Sequence, residues 1–128
     1  VTMSFIRCPL SKRQERMIDL VGEAYRIGVS ACGPGKPARQ AAQEVEDFFS
    51  RHGEAMPHSL GHGIGLEAHE YPGVNLKEGN DAVLEPGMIV TIEPGLYDPE
   101  SGGVRLENDV LVTESGCEVL THSRIVRL

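Results

Sequence analysis

Fifteen residues from Met56 to Glu70, MPHSLGHGIGLEAHE, constrain this chain more than any other stretch. They hold His58, His62 and His69, three of its five histidines, threaded with Gly61, Gly63 and Gly65. In a helix His58 and His62 would share a face, because side chains four apart are neighbours. The glycines oppose that, each costing about 1 kcal/mol in a helix interior relative to alanine. They suit backbone that passes close to a ligand or takes positive φ. The stretch is therefore expected to line an active site rather than to form a helix.

Upstream, Val1 to Arg7 (VTMSFIR) has the residues of a short strand, stopped by Pro9. Ser11 and Gln14 make a capping-box pair. Behind them Met17, Leu20, Val21, Ala24, Tyr25 and Gly28 recur at helical spacing. Cys32-Gly33-Pro34-Gly35 ends this helix, with glycine available for the left-handed position that follows. A second helix begins near Pro37, carries an apolar stripe of Ala38, Ala41, Ala42, Val45, Phe48 and Phe49, and stops at Gly53.

Downstream, Tyr71 to Asn80 has the composition of a polar turn region. Met88 to Glu93 is a nearly continuous apolar strand, extended by Leu96-Tyr97 before a loop at 98–103. Val104 to Thr113 alternates as an antiparallel partner strand, ended by a turn at Glu114-Ser115-Gly116. Cys117 to Leu120 adds a third short strand and Ile125 to Leu128 a tail. This order predicts an α+β fold with helices gathered on one face of an antiparallel sheet. A chain of 128 residues is one domain, 1–128.

Composition excludes several classes. A net charge of −7, with acids spread along the chain, opposes nucleic-acid or anionic-membrane partners and favours a cation site. Three cysteines without a Cys-x-x-Cys pair make neither a disulfide framework nor a zinc knot. No apolar run approaches the roughly 20 residues that span a bilayer. No charged segment followed by an apolar one opens the chain, so a cytoplasmic location is expected. The apolar opening VTMSFI, without a polar lead-in, is expected of a domain entered partway through.

Two glutamates stand out. Glu93 lies inside an apolar strand before Pro94-Gly95, and Glu107 lies in the middle of the next strand. A core-facing carboxylate is costly unless paired or metal-bound. With an imidazole from the histidine stretch they form a mixed N/O set suited to Mn²⁺, Co²⁺, Fe²⁺ or Zn²⁺. His52 and His122 lack such surroundings and are expected at the surface. Ser59 has no Gly-x-Ser-x-Gly context, which excludes a serine hydrolase of that kind. His58 and His62 lack the intervening glutamate of a helical zinc protease.

Three motifs, HSLGHGIGLEAHE at 58–70, MIVTIEPGLY at 88–97 and GGVRLENDVLVTESG at 102–116, resemble the pita-bread (creatinase/aminopeptidase-fold) metallopeptidases. The likeness is to the Xaa-Pro aminopeptidase and Xaa-Pro dipeptidase (prolidase) branch, and it covers most of the chain. It implies the C-terminal half or more of a pita-bread fold, a curved antiparallel sheet with helices on one face. It implies His62, Glu93 and Glu107 as metal ligands, with Glu93 also the general base for a bridging water. Glu107 would bridge two metals. His58 and His69 would contact substrate and steady a tetrahedral intermediate, and Arg105 would support the carboxylates and the substrate.

The implied activity is metal-dependent hydrolysis of Xaa-Pro bonds in proline-containing peptides, with manganese or cobalt, and zinc or iron as alternatives. Family domains carry five ligands, and the first two are aspartates ahead of a segment like Val1-Thr2-Met3-Ser4-Phe5. The resemblance therefore implies at most one metal here, and a catalytic domain lacking its N-terminal half. Such a piece is expected to form a homo-oligomer or to dock to the missing N-terminal half, so as to cover exposed apolar sheet. Two other functions fit the same motifs. One is a non-catalytic peptide-binding pita-bread module. The other is a metal-free creatinase-like amidinohydrolase, which has no need of both Glu93 and Glu107.

Overall fold

The capping box forms as the sequence predicts in the computed structural model, which describes residues 1–128. Gln14 N–H donates to Ser11 Oγ, and Ser11 N–H donates to Gln14 Oε1. It follows β1 (Ser4–Ile6) and opens helix α1 (Lys12–Ala31). Met17, Leu20, Val21, Ala24 and Gly28 are buried along α1, with Tyr25 half-buried. The helix ends differently from expectation. Cys32 is extended at φ −73° and bonds through its N–H to the Val29 carbonyl, while the positive φ falls later, at Gly35.

Helix α2 (Ala38–Arg51) starts one residue later than expected, with Pro37 at its cap, and buries the whole predicted stripe. Gly53, at φ 73°, closes it in a Schellman arrangement: Gly53 N–H bonds to Ser50 O and Glu54 N–H to Phe49 O. His52 and His122 are exposed, as expected.

Nine strands follow or flank the helices. Strands β2 (Gly61–Gly63), β3 (Glu70–Val74), β4 (Ile89–Ile92), β7 (Asn108–Val112) and β8 (Cys117–Val119) form one antiparallel sheet ordered β3-β2-β4-β7-β8. Strands β5 (Gly95–Asp98) and β6 (Gly102–Arg105) make a separate hairpin. Strand β9 (Ile125–Arg127) runs parallel to β1.

Three expectations are corrected here. The first part of the stretch taken as polar turn, Tyr71 to Val74, lies in edge strand β3, where Pro72 is tolerated because an edge position has no second partner. The single strand expected over Val104–Thr113 is two strands broken at Leu106-Glu107. Alternation runs through the break, because each strand buries alternate residues, Val104 in β6 and Val110 and Val112 in β7. The C-terminal tail is a strand, paired Ser4↔Ile125 and Phe5↔Val126.

Both helices cover one face of the main sheet. A β-carbon on Gly28 would come within 2.9 Å of Ile92 and 3.5 Å of Leu60 and Val45, so α1, α2 and β4 meet there in close packing. Phe49, Leu60, Leu84, Ile92 and Leu96 are fully buried in this layer, and truncating Phe49 to alanine would cost about 3–5 kcal/mol. Arg13, at the start of α1, donates to Glu54 beyond α2 and to Asp98 at the end of β5, pinning three elements together.

Candidate metal centre

His62 sits in β2, Glu93 one residue past β4 and Glu107 one residue before β7, so three adjacent strands converge. Their ligand atoms all lie within 4.8 Å of one another. Glu107 is buried, and the other two are partly so.

The hydrogen bonds fix what each group presents. His62 Nδ1 lies 2.9 Å from the Gly63 carbonyl, which can only accept, so Nδ1 carries the proton. In the neutral form, the one that binds a metal, Nε2 is then a lone pair. Nε2 faces Glu93 Oε1 at 3.4 Å. Two donors each about 2.1 Å from one ion at a tetrahedral angle stand about 3.4 Å apart. The set fits a divalent cation in chemistry, and the His62–Glu93 pair fits one in spacing as well.

Neighbouring hydroxyls hold the carboxylates. Thr91 Oγ1 donates to Glu93 Oε1 at 2.9 Å, and Thr2 Oγ1 donates to Glu107 Oε2. Thr2 also exchanges two backbone hydrogen bonds with Glu107. Arg105 Nε donates to the same Thr2 hydroxyl at 3.0 Å and stands 4.0 Å from Glu107 Oε2. Arg105 thus reaches Glu107 chiefly through Thr2.

His69 packs its ring on His62, centroids 4.0 Å apart, and is otherwise exposed. His58 is placed differently. Its Nδ1 donates to the Ser59 carbonyl and its Nε2 accepts from the Tyr97 hydroxyl at 2.9 Å, so neither nitrogen is free. Of the six residues marked by the motifs, His62, Glu93 and Glu107 form the cluster of ligand atoms. Arg105 and His69 touch that cluster, and His58 is tied to Tyr97.

Thr2, Thr91 and Tyr97 were not singled out in the sequence. Thr91 had a signal, since a residue two before Glu93 shares its strand face. Thr2 and Tyr97 had none, their partners lying far along the chain. The positive φ that the glycines of the histidine stretch could supply is not used. None of Gly61, Gly63 and Gly65 has positive φ. A β-carbon would lie 1.8 Å from the Thr91 carbonyl oxygen at Gly61 and 2.3 Å from that of Tyr71 at Gly63. Gly61 and Gly63 thus let β2 lie close against its neighbouring strands. A separate cleft of about 300 Å³, lined by Phe5, Leu10, Met17 and Val104 among others, includes none of the three ligand candidates.

An antiparallel sheet backed by two helices, with one imidazole and two carboxylates across its strands, is the α+β layout of part of a pita-bread fold. Residues 1–114 match the profile of Metallopeptidase family M24, and the chain belongs to that family. Among curated relatives, "Uncharacterized peptidase YqhT" of Bacillus subtilis (strain 168) is 41% identical over 115 residues, covering 88% of this chain and 32% of its own length. Among solved structures, the prolidase from Pyrococcus horikoshii OT3 superposes with a TM-score of 0.83 at 37% identity, over 88% of this chain and 33% of that one. The Xaa-Pro dipeptidase from Bacillus anthracis gives 0.84 at 41% identity, over 92% of this chain and 34% of that one. The chain therefore spans about a third of the length of these relatives. None of its helices is long and apolar enough to cross a membrane.

Proposed function

We propose that the protein hydrolyses Xaa-Pro peptide bonds with a divalent metal, as an aminopeptidase or a dipeptidase. The observation that carries this is Nε2 of His62 facing Glu93 at 3.4 Å, with Glu107 in the same cluster, in a family of metallopeptidases. The solved relatives described as prolidase and Xaa-Pro dipeptidase support the proline preference.

His62, Glu93 and Glu107 would hold the ion, manganese or cobalt by preference, with zinc or iron compatible with the same donors. When bound, such an ion supplies Lewis acidity to the scissile carbonyl and lowers the pKa of an attacking water. Glu93 takes the water's proton as general base, within reach of the site it lines. Thr2 and Arg105 keep Glu107 turned inward. His69, stacked on His62 at the exposed side, offers an N–H to the oxyanion that develops on the substrate. His58 fixes the Tyr97 hydroxyl at the flank of the site.

The proposal concerns a protein of its relatives' length, in which residues 1–128 are one part of the catalytic domain. Alone, the three donors hold at most one ion. Val1, Met3 and Phe5 are 68%, 40% and 65% exposed, which fits self-association or docking of a further half-domain against them. A cytoplasmic setting and a proline-containing peptide as partner complete the proposal.

The test is proline release from an Xaa-Pro dipeptide and an Xaa-Pro tripeptide, with Mn²⁺ or Co²⁺ added, by the protein carrying its full upstream half. Metal-dependent turnover that is lost in Glu93→Gln supports the proposal. Absence of turnover with either ion, or equal rates on peptides lacking proline, overturns it.

A further inference from the structure

Thr91 is the only uncharged polar side chain that touches both His62 and Glu93 among the hydrogen bonds of the cluster. It is 1% exposed, in the middle strand of the main sheet. Its Oγ1 accepts the main-chain N–H of His62 at 3.0 Å and donates its own proton to Glu93 Oε1 at 2.9 Å. One hydroxyl has one proton, so this division is forced: the amide can only donate, and the proton that remains goes to the carboxylate. A threonine that merely filled core space or capped a stray amide would not also direct its proton at a ligand candidate.

The surroundings leave the hydroxyl little freedom. A β-branched side chain on a strand is stiff at χ1, so the oxygen is held where the backbone places it. Gly61 runs alongside, and a β-carbon there would lie 3.0 Å from Thr91 Oγ1. Only a residue without a side chain lets β2 approach closely enough for the next residue, His62, to reach the hydroxyl.

We propose that Thr91 is a positioning residue that sets His62 and Glu93 in register with each other as a metal-binding pair. The hydroxyl couples the backbone of β2 to the carboxylate beyond β4, so the spacing of the two donor atoms is fixed before an ion arrives. It acts through the ligands and touches neither metal nor substrate. This inference rests on the proposed metal-dependent function.

The experiment is calorimetric titration of Co²⁺ into the protein carrying its full upstream half, together with the visible absorption spectrum of the cobalt form, for wild type, Thr91→Ser, Thr91→Ala and Thr91→Val. Serine and alanine lose the same methyl group and differ only in the hydroxyl, which separates positioning from packing. The alanine and valine variants are expected to bind Co²⁺ about 10–100-fold more weakly and with an altered spectrum, the usual effect of losing a group that orients a ligand. The serine variant is expected to stay within about 3-fold of wild type, less than that range. If valine does not fold, the serine–alanine pair still decides. Equal affinity and spectra in alanine and wild type would overturn the proposal, as would a serine variant as weak as alanine. A wild-type protein, upstream half included, that binds no Co²⁺ would instead overturn the metal-dependent function itself.

Discussion

Gly61 and Thr91 lie so close that a β-carbon on the glycine would stand 1.8 Å from the threonine's carbonyl oxygen. The obstacle is main chain, which cannot swing aside as a side chain would. Gly61→Ala must therefore push β2 away from β4 and take His62 with it. The expected loss is at the upper end of overpacking effects, about 3 kcal/mol or more in urea unfolding. A loss under about 1 kcal/mol, within ordinary surface effects, would mean that the strands part easily.

Metal should stabilise the fold through the cluster of His62, Glu93 and Glu107. An ion that binds only the folded chain adds about 2.7 kcal/mol at a hundredfold excess over its Kd. Added Mn²⁺ is thus expected to raise the thermal midpoint, and a chelator to reverse the rise. His62→Ala should show no rise. A shift that persists in His62→Ala would move the ion to another site.

Acid should loosen the contact between α1, α2 and β5. Hydrogen bonding to Arg13 holds the Glu54 carboxyl below its ordinary value of 4.5. The backbone N–H groups of Glu100 and Ser101, and then Arg13, hold Asp98 below 3.8. Both folded-state values are depressed, so their stabilisation is full above the ordinary values and is lost as pH falls through the folded ones. Urea midpoints measured downward from pH 6 should drop below about pH 4.5, and Arg13→Met should flatten that drop. An unchanged slope in Arg13→Met would show that other carboxylates govern acid sensitivity.

Asp109 stands opposite Thr91 in the β4–β7 register, and its Oδ1 is buried without a hydrogen-bond partner. An unpaired buried acceptor on a charged group is unfavourable, by about 1–3 kcal/mol. Asp109→Asn removes the charge at nearly constant volume and is expected to raise stability by about 1 kcal/mol. Thermal unfolding at pH 7 measures it, and a lowered midpoint would assign the carboxylate a partner that the fold does not reveal.

The sequence disclosed what local chemistry controls. Ser11 with Gln14 and the stripes of both helices needed only neighbours within a few residues, and each formed where its spacing indicated. His62, Glu93 and Glu107 were legible as a set through their motifs, but nothing local says that three strands bring them within 4.8 Å. Pro72 and Gly73 carried turn chemistry that an edge strand overrode. Thr2 was invisible as a support for Glu107, because the two meet only after the whole chain has folded between them. Gly61 and Gly63 are required by neighbouring strands, which periodicity along the sequence cannot reveal.

The parallel pairing of β1 with β9 joins Ser4 to Ile125 and the Ile6 carbonyl to the Leu128 N–H, so the ribbon is made from the two most distant parts of the sequence. Closing a loop of that length in an unstructured chain costs about 4 kcal/mol of entropy, more than six short-strand residues return. The ribbon therefore forms only once α1 and the main sheet have brought its two strands together. It is expected to lie outside the folding nucleus, where lost contacts hasten unfolding and leave the folding rate almost untouched. The pairing of β1 with β9 is thus expected to act as a latch, which sets how long the native state lasts rather than how quickly it is reached.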